Sequence, residues 1–192
     1  MAIETEIKVI VPQTVIVATC AQHGWALRTP RTFEDNWLWD TPDGRLQQRH
    51  ELLRLRRFGP RVTLTWKGPT TGTSQYKVRE EWEVMVGDFT VMQRILERLG
   101  YRVWFRYQKY RTEYTMGDDL HITVDETPIG TFVELEGPPD AIERAIDRFG
   151  WREYPRTTAN YYRLFLEAVA AGRYTGSHML FPEHPEGESG GK

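Results

Sequence analysis

Apolar and polar residues alternate with a period of two over much of the chain, the pattern of strands that keep one face dry. The first such stretch runs over roughly 2–11, with Ile3, Ile7 and Val9 on one face and Glu4, Glu6 and Lys8 on the other. A second, roughly 33–40, carries Trp37, Leu38 and Trp39 and stops at the turn Thr41-Pro42-Asp43-Gly44. The third and fourth, roughly 51–58 and 61–67, flank Gly59-Pro60 and predict a hairpin. The fifth, roughly 76–86, follows the Gly- and Thr-rich loop 68–74. The sixth (102–115) and seventh (120–126) are joined by Met116-Gly117-Asp118-Asp119, again a hairpin signal, and the eighth (131–136) follows Pro128-Ile129-Gly130.

Helical spacing occupies the gaps. Pro12 suits the first position of a helix ending near Gly24. Asp88 is a candidate cap for 89–99, which stops at Gly100. Asp140 is placed to cap a segment with Ile142, Ala145, Ile146 and Phe149 at helical spacing, and a last helix over roughly 157–171 lines up Tyr161, Leu164, Phe165 and Ala168. The sum is an α+β fold, mostly β: an antiparallel sheet able to close into a barrel, with helices packed outside. One domain is expected over 1–173. Residues 174–192, rich in Gly, Glu, Pro and Ser, are expected to form a mobile tail.

Composition narrows the class. The chain has 192 residues, 40% hydrophobic and 27% charged, which suits one well-cored globular domain. Its 25 basic and 27 acidic residues nearly cancel, which argues against a dedicated nucleic-acid or membrane-surface binder. The single cysteine, Cys20, excludes an internal disulfide and reads as a small packed hydrophobe. The N-terminus lacks the pattern of a signal peptide, and no apolar run approaches the roughly 20 residues of a spanning helix. A soluble cytoplasmic protein, monomer or homodimer, is the expectation.

The placement of charge says more than its sum. One face of nearly every strand is charged: Arg54 and Arg56 on the third, Lys67 ending the fourth, and Lys77, Arg79, Glu81 and Glu83 on the fifth. The sixth gives Lys109, Arg111 and Glu113, the seventh Asp125, and the eighth Glu134 and Glu136. For any one strand, a solvated outer face with cross-strand ion pairs is the better explanation. Across all strands, two features favour an inward charged face. Glu4 with Glu6, and Glu134 with Glu136, crowd carboxylates that repel without a cation between them, and hard cations such as Mg²⁺ or Mn²⁺ take such oxygen ligands. The acids gather on the first, seventh and eighth strands and the bases on the third, fourth and sixth. A metal at one wall and a polyanion at the other satisfies both, since arginine forks grip phosphate oxygens in pairs. Other chemistries lack support: His23, His50 and His121 have no zinc spacing, no Gly-rich phosphate loop is present, and Ser74 and Cys20 have no nucleophile partners.

In chain order, several segments resemble one family. Glu4-Thr5-Glu6-Ile7-Lys8 is similar to the ExExK signature of the CYTH domain, also called the triphosphate tunnel metalloenzymes. Leu53-Arg54-Leu55-Arg56 resembles LRxR, Leu64-Thr65-Trp66-Lys67-Gly68-Pro69 resembles LTxKGP, Arg79-Glu80-Glu81-Trp82-Glu83 resembles RxExE, and Lys109-Tyr110-Arg111 resembles KxR. The segments 121–125 and 130–137 resemble the paired closing strands. The likeness covers about residues 2–167 and implies an eight-stranded antiparallel tunnel.

It also implies roles. Glu4, Glu6, Asp125, Glu134 and Glu136 would hold a Mg²⁺ or Mn²⁺ ion or its water. Lys8, Arg54, Arg56, Lys67, Arg79 and Arg111 would bind phosphates. Lys109 would help activate water, and Glu81 would steady the basic residues. The implied partner is a small triphosphate, either tripolyphosphate, thiamine triphosphate or ATP, with no nucleic acid and no membrane. The implied activity is triphosphate hydrolysis, with class IV adenylyl cyclase chemistry as an alternative and a non-catalytic sensor as a third reading. Two positions depart from the pattern: Ala159 stands where many members carry a base before a Ser-Tyr pair, and Trp39 stands where tyrosine is common before Asp-Thr-Pro.

Overall fold

The computed structural model describes residues 2–70, 77–117 and 120–182. The side chains of residues 2–4 and of Lys77, the Asp118-Asp119 turn, loop residues 71–76 and the chain from 183 onward lie outside the described residues. Strand β1 is Ala2–Val9, β2 Ala26–Asp40, β3 Leu52–Phe58, β4 Arg61–Lys67, β5 Lys77–Met85, β6 Arg102–Met116, β7 Leu120–Thr127 and β8 Gly130–Glu136. They pair antiparallel in the order β5-β4-β3-β2-β6-β7-β8-β1, and a β5–β1 pairing closes the barrel. A two-residue β9, Arg156–Thr157, continues alongside β1 through Lys8 and Val9. Between β3 and β4, Gly59 takes φ +54°, a left-handed conformation that lets the chain reverse in two residues.

The helices are α1 Gln13–His23, α2 Arg45–Gln48, α3 Phe89–Arg98, α4 Pro139–Arg148 and α5 Tyr161–Ala170. They seal the outer face in patches. Ile7, Val9, Ile122, Val124, Val133 and Leu135 of β1, β7 and β8 pack with Ile16 of α1 and Ile142, Ala145 and Ile146 of α4. Burying each large aliphatic is worth about 1.5–3 kcal/mol. Helix α3 sits over Trp39 and Leu55 through Phe89 and Leu96. Helix α5 closes one end with Tyr161, Leu164 and Phe165 against Leu38, Phe105 and Phe132. The outer face of β5 has no such cover: Trp82 and Val84 are 62% and 57% exposed.

The structure alters the sequence reading in four places. β2 begins at Ala26 rather than near 33, because its first half pairs with β6 alone through register shifts around Thr29 and Thr32, and Pro30 sits there without breaking a ladder on both sides. The short α2 replaces a simple turn, pinned by Asp40, whose carboxylate accepts from the backbone N–H groups of Thr41, Leu46 and Gln47. The cap of α4 is Pro138 and not Asp140, which lies in the first turn, and α5 starts four residues later than expected, capped by Asn160 through Arg163 N–H.

The first residues of the expected mobile tail are packed as well. Met179 is fully buried, its N–H donates to Arg106 O at 3.0 Å, and its own carbonyl accepts from Gln108 N–H at 2.9 Å. The Tyr174 hydroxyl ties to both backbone groups of Leu180.

Candidate active site

Strand alternation aims one residue in two at the barrel axis, and the axis is lined by charge. The cavity measures about 990 Å³. Its lysines and arginines are Lys8, Arg54, Arg56, Lys67, Arg79, Lys109, Arg111 and Arg163, and its acids are Glu6, Glu51, Glu81, Glu83, Glu134 and Glu136. Asp125 and Glu34, both fully buried, stand just behind this surface, so as many acids as bases line or back it. All sequence-predicted site residues with described side chains therefore share one interior. Glu4 holds the β1 position paired with Arg79, two residues before Glu6, and its side chain lies outside the described residues.

Six of these bases have an interior acid at hand. Lys8 Nζ lies 3.1 Å from Glu134 and 3.5 Å from Glu6. Arg111 grips Asp125 with two bonds of 2.7 and 2.6 Å and reaches Glu134 at 2.5 Å. Lys109 donates to Asp125 at 2.7 Å and lies 3.5 Å from Glu34. Lys67 meets Glu81 at 2.5 Å, while Arg54 lies 3.9 Å from Glu81 and 3.7 Å from Glu83. Arg56 donates to Glu83 at 3.1 Å. The interior is thus self-neutralised, and a guest anion or cation must exchange partners with it.

Burial alone would push these acids up and these bases down; pairing wins at Glu34, Glu134 and Lys8, whereas burial and the neighbouring Arg54 hold Arg56 below the ordinary guanidinium value. Glu34 is raised by burial but lowered more by Lys109, Arg111, Arg56 and Arg54, to about 2. Glu134 is held well below the carboxylate range, its burial outweighed by Lys8 and Arg111. Burial would lower Lys8, but Glu134 and Glu6 hold it above the usual lysine value. The Tyr161 phenol is pushed well up by burial and then by Asp125 and Glu134.

Four side chains absent from the sequence-level set join the site. Tyr161 donates its hydroxyl to Asp125 at 2.6 Å, and its ring lies under the ammonium groups of Lys109 (4.7 Å) and Lys8 (5.2 Å). Glu83 bridges Arg56 and Thr65. Glu34 and Asn36 come from β2, whose charged positions carried no assigned role. In the sequence Tyr161 reads as a helix-face apolar residue and as the end of the stretch Ala159-Asn160-Tyr161 that stands at the family's base-Ser-Tyr pattern.

The two departures also find their places. Trp39 is 1% exposed on the outer face, packed with Trp37 and Phe89, so Leu38 and not residue 39 faces the cavity. Ala159 does line the cavity mouth, and Arg163, one turn further on, lines it too.

Carboxylates suit a hard divalent cation here. β1 and β8 set Glu6 opposite Glu136 and Lys8 opposite Glu134, so three acids converge on one patch where Lys8 now supplies the positive charge. Among the described residues, no three acid, His or Cys side chains form a ready-made metal site. The donor chemistry fits Mg²⁺ or Mn²⁺ once Lys8 and Arg111 yield their acids to it.

The family model of the CYTH domain matches residues 2–147. The chain belongs to the CYTH domain family. A curated CYTH-like relative, named "Putative adenylate cyclase", from Methanocaldococcus jannaschii, is 29% identical over 136 residues, covering 70% of this chain and 76% of its own. A solved protein of Pyrococcus horikoshii superposes with a TM-score of 0.72 at 24% identity, over 85% of this chain and 98% of its own. The structure of "Putative adenylyl cyclase HpAC1" from Hippeastrum, described as having a dominant triphosphatase activity, superposes with a TM-score of 0.66 at 17% identity, over 92% of this chain and 99% of its own. At these identities the two structures speak to the fold alone. Among the described residues, no helix is long and apolar enough to cross a membrane.

Proposed function

We propose that this CYTH protein hydrolyses a small triphosphate inside its barrel, releasing orthophosphate. The observation that carries the reading is the interior itself: arginine and lysine side chains on β3, β4, β5 and β6 face a carboxylate patch on β1 and β8 across one cavity of about 990 Å³. Such a divided lining accepts a polyanion and its counter-cation together and excludes neutral guests.

In this reading Arg54, Arg56, Lys67 and Arg79 grip the phosphate chain, and Lys8 and Arg111 turn from their carboxylates toward it. Glu6, Glu134 and Glu136, with Glu4 and Asp125 alongside, would hold Mg²⁺ or Mn²⁺. That ion would supply charge neutralisation and polarise phosphoryl oxygens. Glu81 steadies Lys67 and Arg54. Lys109, fixed between Asp125 and Glu34, orients the attacking water. Water adds to the terminal phosphorus, the bridging P–O bond breaks, and the charge growing on the bridging oxygen is met by the preset basic wall.

Class IV adenylyl cyclase chemistry is the second reading, favoured by the printed name of the relative from Methanocaldococcus jannaschii. There the ribose 3′ oxygen attacks the α-phosphate and diphosphate leaves. Product analysis separates the two. Purified protein with Mg²⁺ or Mn²⁺ is offered tripolyphosphate, thiamine triphosphate and ATP. Orthophosphate, with ADP from ATP, is the expected result; cyclic AMP with diphosphate would transfer the assignment to the cyclase. Tight tripolyphosphate binding without any turnover would leave a sensor.

A further inference from the structure

The acids of the cavity are not equivalent. Glu6, Glu134, Glu136 and Asp125 form the wall suited to a cation, and Glu81 and Glu83 stand partly open beside the arginines. Glu34 belongs to neither group. It is wholly buried on β2, and three cations surround it. Its Oε1 accepts from Asn36 Nδ2 at 2.9 Å and lies 3.5 Å from Lys109 Nζ. Its Oε2 lies 3.9 Å from both Arg56 Nη1 and Arg111 Nε and has no hydrogen-bond partner among the described residues. Asn36, which also reaches the Tyr107 carbonyl at 3.5 Å, clamps the carboxylate in place.

A buried carboxylate with an unmet oxygen is costly, and direct ion pairs would have relieved it. Instead Glu34 stays just out of bonding range of both arginines, equidistant between them. Arg56 and Arg111 are drawn toward one point without being bonded to Glu34, so the acids an incoming phosphate has to displace are Glu83 from Arg56, and Asp125 and Glu134 from Arg111. The fixed anion also opposes the incoming phosphates. It therefore weakens ground-state grip while holding the geometry that the reaction needs, which trades uniform binding for turnover.

We propose that Glu34 is a positioning residue of the tunnel, spacing Arg56, Lys109 and Arg111 for the triphosphate and restraining their affinity for it. This rests on the triphosphate reading above. A merely structural counter-ion would, when neutralised, lower the melting temperature and leave affinity and turnover together.

The test is calorimetric titration with tripolyphosphate, without metal, of the full chain and its Glu34→Asp and Glu34→Gln variants, with phosphate release at saturation measured in Mg²⁺. Loss of one charge about 4 Å from three cations is expected to tighten binding by about tenfold or more in Glu34→Gln and to slow release by a similar factor. Glu34→Asp, whose carboxylate is drawn back by one methylene, is expected between the two. A folded Glu34→Gln with wild-type or weaker affinity overturns the proposal. If Glu34→Gln does not fold, Glu34→Asp decides, and unchanged affinity and turnover there overturn it. Binding without phosphate release in the wild type refutes hydrolysis alone, since the affinity order still tests Glu34. Absence of tripolyphosphate binding in all three proteins overturns both readings.

Discussion

Tyr161 offers a sharp test of how the interior is held. Its hydroxyl donates to Asp125 at 2.6 Å in a fully buried setting, while its ring packs against Tyr107 and Phe132 and underlies Lys8 and Lys109. Tyr161→Phe removes the hydroxyl and keeps the ring. A hydrogen bond to a charged group is worth about 1.5–3 kcal/mol, and Asp125 keeps Lys109 and Arg111 as donors, so the lower half applies. The expected loss is about 1.5–2 kcal/mol. Tyr161→Ala also loses the packing and should cost about 3–5 kcal/mol. Urea unfolding of wild type, Tyr161→Phe and Tyr161→Ala, with equal slopes required for comparison, reads both values. Two outcomes would refute the reasoning: Tyr161→Phe within a few tenths of wild type, or as damaging as Tyr161→Ala. The first would deny the bond, the second the packing.

Further expectations follow from the same ion network. Glu34 falls from an ordinary 4.5 to about 2 in the fold. A depressed acid stabilises fully above its ordinary value and loses that contribution as pH falls toward the folded one, so stability should drop between about pH 4.5 and 2. Glu34 supplies roughly 3 kcal/mol of that drop, and Glu34→Gln should flatten it in acid unfolding curves. Met179→Ala should cost about 2–5 kcal/mol of unfolding free energy, because the side chain is fully buried beside Phe105 and Phe165; a loose tail would make it neutral. Because Lys8, Arg54, Arg56, Lys67, Lys109 and Arg111 each hold an acid, Mn²⁺ and tripolyphosphate should each raise the other's affinity by the same factor, about five-fold or more, in paired titrations corrected for their association in solution.

Period-two alternation placed much of the lining correctly on one face, and it did so where the apolar parity was clean. On β3, Leu53 and Leu55 leave no doubt about which way Arg54 and Arg56 point, and on β8 Val133 and Leu135 do the same for Glu134. β2 resisted the same reading. Phe33-Glu34-Asp35-Asn36-Trp37-Leu38-Trp39 has an acid and a large apolar group on each parity, so only the cross-strand register, Asn36 opposite Arg56 and Tyr107, decides that Glu34 faces in.

Tyr161 satisfies helical apolar spacing and a buried polar contact at once, and spacing reveals only the first. The anchoring of Met179 was hidden because a polar, Gly-rich stretch can be held by one buried side chain and a few backbone bonds. α2, four residues long, is too short for any periodicity.

The central claim is that the divided interior of this CYTH barrel binds and cleaves a triphosphate. Phosphate release from tripolyphosphate with Mg²⁺ or Mn²⁺, compared between wild type and Glu6→Gln with matched melting profiles, tests it most directly. Steady release by the wild type is expected, with a loss of about a hundredfold or more in Glu6→Gln, since removing one acid from the cation-binding wall is worth about 2.7 kcal/mol or more at the transition state. No release by the folded wild type, or equal release by both proteins, would contradict it.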